Sequence, residues 1–234
     1  MPLITNKGQF VKGMLSLALF LLLLIPLFLP VFNGQTGMEA ADDLFNSLSK
    51  GSSYYIPAVA EEVAPYEGKE LAVTLKAKDA AQAETLVKLF EGAGATVTAG
   101  SEAIEVKGDL GAVLNAAILD ADDLFNQREA AIESRYGVDN ARAVLYYWYD
   151  ASKQMQKTLD HDSKFEQSLF VKKVSERALE PAYNFAGITA SKVSERAGIT
   201  VFLLCFYIVY TIWYGFSIMF IFEGLGISAS KGKH

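Results

Sequence analysis

Residues Ile199 to Phe222, ITVFLLCFYIVYTIWYGFSIMFIF, form a run of 24 positions without a charged side chain, closed by Glu223. At 1.5 Å per residue a helix of that length covers the roughly 30 Å hydrocarbon core of a bilayer, and a soluble helix seldom stays apolar on every face for so long. The run predicts a transmembrane helix. A second uncharged run of 19 residues, Met14 to Phe32, lies near the N-terminus. Together they predict a membrane hairpin: tails at 1–13 and 223–234, spans at 14–32 and 199–222, and all of 33–198 on the opposite face. The first run is longer than the apolar region of a usual signal peptide and lacks a clear small-x-small cleavage site, so it is expected to stay as an anchor. Pro26 and Pro30 should kink or loosen its outer third. Such a kink would suit a lipid or quinone tail, although a frayed helix end explains it without a ligand.

Charge sets the expected orientation. Lys7, Lys12, Lys231 and Lys233 are the charges of the two tails apart from Glu223, whereas 33–198 carries 17 basic and 26 acidic side chains. Basic short ends and an acidic long loop predict cytoplasmic termini and a periplasmic central domain in a bacterial inner membrane. An acidic domain repels phosphate, which argues against a nucleic-acid partner. The single cysteine, Cys205, falls inside the second span and excludes an intramolecular disulfide.

Between the spans the pattern predicts a membrane-anchored α+β chain. A linker at 33–69 holds a short amphipathic helix over 39–48, a loop at 51–57 and a polar stretch at 60–68. Glu70 to Ala77 alternates as a strand. Asp79 to Gly92 reads as a helix with Asp79 and Gln82 at capping-box spacing and Gly94 after its end. Ala95 to Ala99 and Ala103 to Lys107 read as a hairpin across Gly100 and Ser101. With a helix from Asp109 to Tyr136, the order β-α-β-β-α over 70–136 is that of a ferredoxin-like unit. The remainder, 137–198, is expected to be helical over 139–159 and 163–179, with breaks at Gly137, Asp160-His161-Asp162, Pro181 and Gly187. A last helix from about Ile188 is expected to run into the second span.

The residue inventory excludes much chemistry. Two histidines, His161 and His234, and one cysteine cannot supply a bis-histidine b haem within one domain, an iron–sulfur cluster or a C-x-x-C-H haem. No P-loop, G-x-G-x-x-G or G-x-S-x-G occurs. Asp160, His161 and Asp162, with Glu166 a turn later, could bind a divalent metal or move a proton, but consecutive ligands rarely converge. The competing reading is a turn followed by a Ser163-x-x-Glu166 capping box. No cofactor or metal is therefore expected.

Contact residues are better marked. Four consecutive aromatics, Tyr146, Tyr147, Trp148 and Tyr149, cannot all point inward from one helix, so about half must meet solvent, headgroups or a partner. In the second span Tyr207, Tyr210, Thr211, Tyr214 and Ser217 follow helical spacing and form a polar-edged stripe. Trp213 lies near mid-span, away from the interfaces where tryptophan is common. Hydroxyls facing bare lipid are costly, so this stripe is expected to meet another helix. Thr211 and Gly215 offer a small-x-x-x-small notch beside it. Two hexapeptides recur, ADDLFN at 41–46 and 121–126 and KVSERA at 173–178 and 192–197, without a longer period that would mark a solenoid.

These features lead to the expectation of a non-catalytic accessory or scaffold subunit of an inner-membrane complex. Its partners would be other membrane subunits or further copies of itself, together with lipid. The alternative is a membrane-tethered periplasmic enzyme or metal-binding protein built on the Asp160-His161-Asp162 region. A ligand sensor is a third reading, weakened by tails of about a dozen residues that leave no room for an effector domain.

Overall fold

The computed structural model describes residues 3–100 and 103–227. The chain is mostly helical, with one small antiparallel sheet of three strands and two helices long and apolar enough to cross a membrane. It divides into two compact units, Met1–Ser49 with Ala190–His234, and Lys50–Thr189.

In the first unit α1 spans Lys7–Leu24, capped by the Asn6 side chain, which accepts from the Gln9 amide at 3.2 Å. Pro26 then sits at the start of a tight 3₁₀ turn, Ile25–Phe28, and Leu29 is extended. The α-helix thus ends before the prolines rather than bending at them, because each proline removes an amide donor. The following loop leads into α2, Gly37–Ser52. The start of α2 is a true capping box. Thr36 Oγ1 accepts from the Glu39 amide at 3.2 Å, and Glu39 accepts in return from the Thr36 amide at 2.8 Å. These bonds hold the Glu39 carboxyl below its ordinary pKa, the backbone amide acting first. The last helix, α10, covers Val193–Gly224 without interruption. It begins five residues after the expected Ile188, because the chain past Gly187 is not helical and Lys192 is still extended, with φ of −80° and ψ of 138°.

The second unit is built on β1 (Glu70–Leu75), β2 (Thr96–Ala99) and β3 (Ile104–Asp109). The strand order is β1-β3-β2, with β3 antiparallel to both neighbours, so helix α4 (Ala80–Gly92) carries the chain across β3 from one edge to the other. Strict alternation along β1 buries Leu71, Val73 and Leu75 and leaves Glu70, Ala72 and Thr74 exposed. One face of the sheet therefore meets the core and the other is open. The expected turn at Gly100 and Ser101 is partly visible, the Gly100 amide donating to the Ala103 carbonyl at 2.8 Å; Ser101 lies outside the described residues.

Helices α3 (Ile56–Glu61), α5 (Leu110–Phe125), α6 (Glu129–Tyr136), α7 (Ala141–His161), α8 (Phe165–Val174) and α9 (Glu180–Asn184) complete this unit. Their buried faces, with α4 and the sheet, form one core around Leu86, Phe90, Leu114, Leu145 and Trp148. Four local expectations are corrected here. The segment 51–57 is not all loop, since α2 extends to Ser52 and α3 begins at Ile56. The helix expected over 110–136 is two helices, because Gln127 adopts a left-handed φ of 60° and Arg128 turns back to bind Asp122 and Asp123 at 2.6 and 2.8 Å. The capping box at Ser163 does not form. Ser163 is itself left-handed, with φ of 60°, and α8 starts from Lys164 with no side-chain cap. Pro181 does not break the chain of helices. A wider π-helical turn, Ser175–Leu179, precedes α9 and relieves the clash of the proline ring with the preceding turn.

Candidate functional site

The four aromatics of α7 separate by helical geometry. Trp148 points into the core, 2% exposed, with its ring edge-on to Phe90 at 5.1 Å. Its Nε1 donates to Asp120 Oδ2 at 2.7 Å. Asp120, on α5, is fully buried and also accepts from the Tyr136 hydroxyl at 2.8 Å and from Arg135, which bonds Asp123 at 2.7 Å as well. Burial pushes the Asp120 carboxyl above its ordinary range, opposed by the Trp148, Tyr136 and Arg135 donors; burial likewise raises the Tyr136 hydroxyl. Every member of this network has a partner, so it reads as a structural lock. Residue spacing gave no sign of it, since Asp120 and Trp148 meet only once α5 and α7 pack.

The other three aromatics form an outer wall. Tyr146 is exposed, while Tyr147 and Tyr149 are half-buried. Tyr146 bonds Lys78, whose ammonium also lies 4.7 Å from that ring and 3.7 Å from Asp150. The Tyr146 hydroxyl, ahead of Asp150, holds the Lys78 ammonium above its ordinary pKa. Arg142 stacks on Tyr183 at 4.6 Å and Lys153 on Tyr149 at 4.1 Å. Two cavities flank the wall. One, of about 400 Å³, is bordered by Lys78, Asn140, Arg142, Tyr147 and Tyr183. The other, of about 360 Å³, lies between Tyr149, Glu180 and Tyr183. Aromatic faces edged by cations suit contact with a carboxylate-bearing or aromatic partner.

In the first unit α1 and α10 run antiparallel, and the expected stripe divides between them. Tyr210 stacks on Phe20 at 4.1 Å and donates to the Phe20 carbonyl at 3.2 Å. Trp213 Nε1 donates to Ser16 Oγ at 2.8 Å, and Ser16 and Ser217 hydroxyls are 2.7 Å apart. Tyr214 brings its ring to 5.3 Å from Phe20 while remaining exposed. Tyr207 and Thr211 turn away. Thr211 bonds only the Tyr207 carbonyl of its own helix, and Tyr207 is 67% exposed. The Thr211–Gly215 notch meets nothing, for a Cβ on Gly215 would find no atom within 4 Å. The close approach is made instead by Gly13, against the Ser217–Ile221 backbone, and by Gly224, against Phe10. At that end the Thr5 and Asn6 amides cap α10 by donating to the Gly224 carbonyl at 2.9 and 3.0 Å.

The acidic turn is dispersed. Asp160, His161, Asp162 and Glu166 are all exposed, and His161, with its side chain 88% accessible, meets Asp162 alone at 3.2 Å. Among the described residues no group of three or more His, Cys, Asp or Glu is placed to hold a metal ion. The hexapeptide copies occupy unlike surroundings. Ala121, Leu124 and Phe125 are buried, whereas their counterparts Ala41, Leu44 and Phe45 are not. Val174 is buried in one KVSERA copy and Val193 exposed in the other.

Compared with family models, curated proteins and solved structures, this chain finds no match in any of the three.

Proposed function

We propose that the chain is a non-catalytic accessory or scaffold subunit of a bacterial inner-membrane complex. In this reading α1 and α10 cross the membrane as a hairpin with both termini cytoplasmic, and the Lys50–Thr189 unit is periplasmic and ferredoxin-like in its β1-to-α5 portion. The strand order β1-β3-β2 with a helical crossover supports the ferredoxin-like reading. Partners are other membrane subunits or further copies of the chain.

The observation that carries this proposal is Tyr207. It stands eight residues beyond Ile199, about 12 Å into the apolar run, and its phenol faces away from α1. A hydroxyl near the middle of a bilayer is stabilised by a neighbouring helix that offers it an acceptor. Thr211 and Gly215 continue that face and leave room for close approach. The tyrosine wall of α7 supplies a second contact surface, in the other unit.

The test is a photo-crosslinking residue in place of Tyr207 in native membranes, with the same residue in place of the buried Ser217 as control. A protein adduct from position 207 is expected, along with an assembly larger than one chain in mild detergent. Lipid adducts alone, from a chain that elutes as a monomer, would end the proposal.

A further inference from the structure

The stripe of α10 that faces α1 does not stop where α1 stops. Ser217, Trp213 and Tyr210 are covered by α1, but the same face continues through Phe206, Leu203, Ile199 and Arg196 at spacings of three and four. Those four residues line a cavity of about 490 Å³, closed on its other sides by Leu27 and the small-residue face of α2. The cavity exists because the prolines end α1 early and Gly37, Ala40 and Ala41 are too small to refill the space.

We infer that this cavity holds one acyl chain of an anionic phospholipid, with the lipid phosphate on Arg196. The inference rests on the membrane hairpin proposed above and on no claim about its protein partners. Arg196 lies one helical turn before Ile199, where the uncharged run begins, which puts a guanidinium at headgroup level above an apolar slot. Among the described residues it makes no ion pair. The acids of α2, the helix that borders the cavity with Arg196, bond within their own segment: Glu39 with Thr36, Asp42 with Asn46 and Asp43 with Gln35. A planar fork of donors without a carboxylate is matched by a phosphate, bidentate and charge-assisted. The slot holds no more than about one turn of a helix, which is 10–12 Å across with its side chains. A flexible chain fits where a helix does not.

The experiment is native mass spectrometry of the full chain in mild detergent, with dioleoyl phosphatidylglycerol or dioleoyl phosphatidylcholine added. One phosphatidylglycerol per chain should be retained, and phosphatidylcholine much less. Arg196→Gln should weaken retention by about tenfold, the loss of one charge-assisted contact. Ala40→Phe should abolish it by filling the slot, and Arg142→Gln, at an arginine that does not line it, should change nothing. Circular dichroism confirms that each variant is folded. Equal retention of the two lipids, indifference to Arg196→Gln, or a neutral isoprenoid or a polypeptide in the slot would overturn the inference. Carbonate washing of the membranes separates the layers of the argument. A chain that stays in washed membranes yet retains no phosphatidylglycerol loses only this site, whereas one that washes off loses the hairpin and the site together.

Discussion

Gly224 gives the sharpest test of how α1 and α10 pack. A Cβ added there would lie 2.6 Å from the Phe10 N, Cα and Cβ atoms, whereas ordinary contact begins at 3.4 Å, so the helices must part by 0.8 Å. Backbone atoms cannot rotate aside as a side-chain end can. A shift of that size takes the bonds from Thr5 and Asn6 to the Gly224 carbonyl, 2.9 and 3.0 Å now, beyond hydrogen-bonding distance. It also forfeits a quarter to a half of the dispersion energy of each contact pair along the seam. Overpacking of this kind is worth about 1–3 kcal/mol. Gly224→Ala should therefore loosen the hairpin by that amount, and Gly13→Ala, which meets the Ile221 amide nitrogen at 2.7 Å, should act alike. The assay replaces Ser16 and Ser217, whose hydroxyls touch at 2.7 Å, by cysteine in a Cys205→Ala background and follows disulfide formation in detergent. Gly224→Ala should slow the reaction several-fold and lower the SDS concentration that separates the helices. Gly215→Ala, with open space around it, should do neither. Equal behaviour of the two variants would refute the packing described here.

Three further outcomes follow from the second unit. Asp120→Ala leaves the Trp148 and Tyr136 donors and Arg135 without their buried acceptor and should destabilise the unit by about 3–5 kcal/mol, read as a lowered melting temperature in near-ultraviolet circular dichroism with Trp213→Phe to isolate Trp148. Asp109 caps α5 by accepting from the Ala112 amide at 3.0 Å and also binds the Gly68 amide, and these donors hold its carboxyl below its ordinary pKa. Its contribution is complete above the unfolded-state value and is lost as pH falls through the lowered folded value; Asp109→Asn should keep the cap at neutral pH and flatten that share of the acid limb, while Asp109→Ala costs about 1 kcal/mol at pH 7. Ser163→Gly should stabilise the chain by about 0.5–1 kcal/mol by relieving a left-handed residue, where a serine cap would instead have been weakened.

What could be read from residues was whatever local periodicity controls. Strand β1, the helix after Asp79 and the apolar runs follow from alternation, capping chemistry and length, all properties of short windows. The failures share a physical cause, which is that similar short sequences have different energies once tertiary partners exist. Ser163-x-x-Glu166 and Thr36-x-x-Glu39 are equivalent as strings, yet only the second closes a capping box, because the chain leaves α7 through a left-handed turn that turns Ser163 out. Pro181 should end a helix, and the π-helical turn before it lets the chain continue. The polar stripe of the second span was legible as a set, but its division was not, since it depends on which face α1 takes. That choice is made by Gly13 and Gly224, residues that carry no hydrophobic or polar signal and matter only for what they allow to come close. The same choice leaves two places on α10 open: the Tyr207 face, where the phenol is 67% exposed, and the cavity bordered by Arg196. They differ in chemistry, a hydroxyl on an open helix face against a guanidinium beside an apolar slot, so the helix proposed for the first and the acyl chain inferred for the second do not compete for one site.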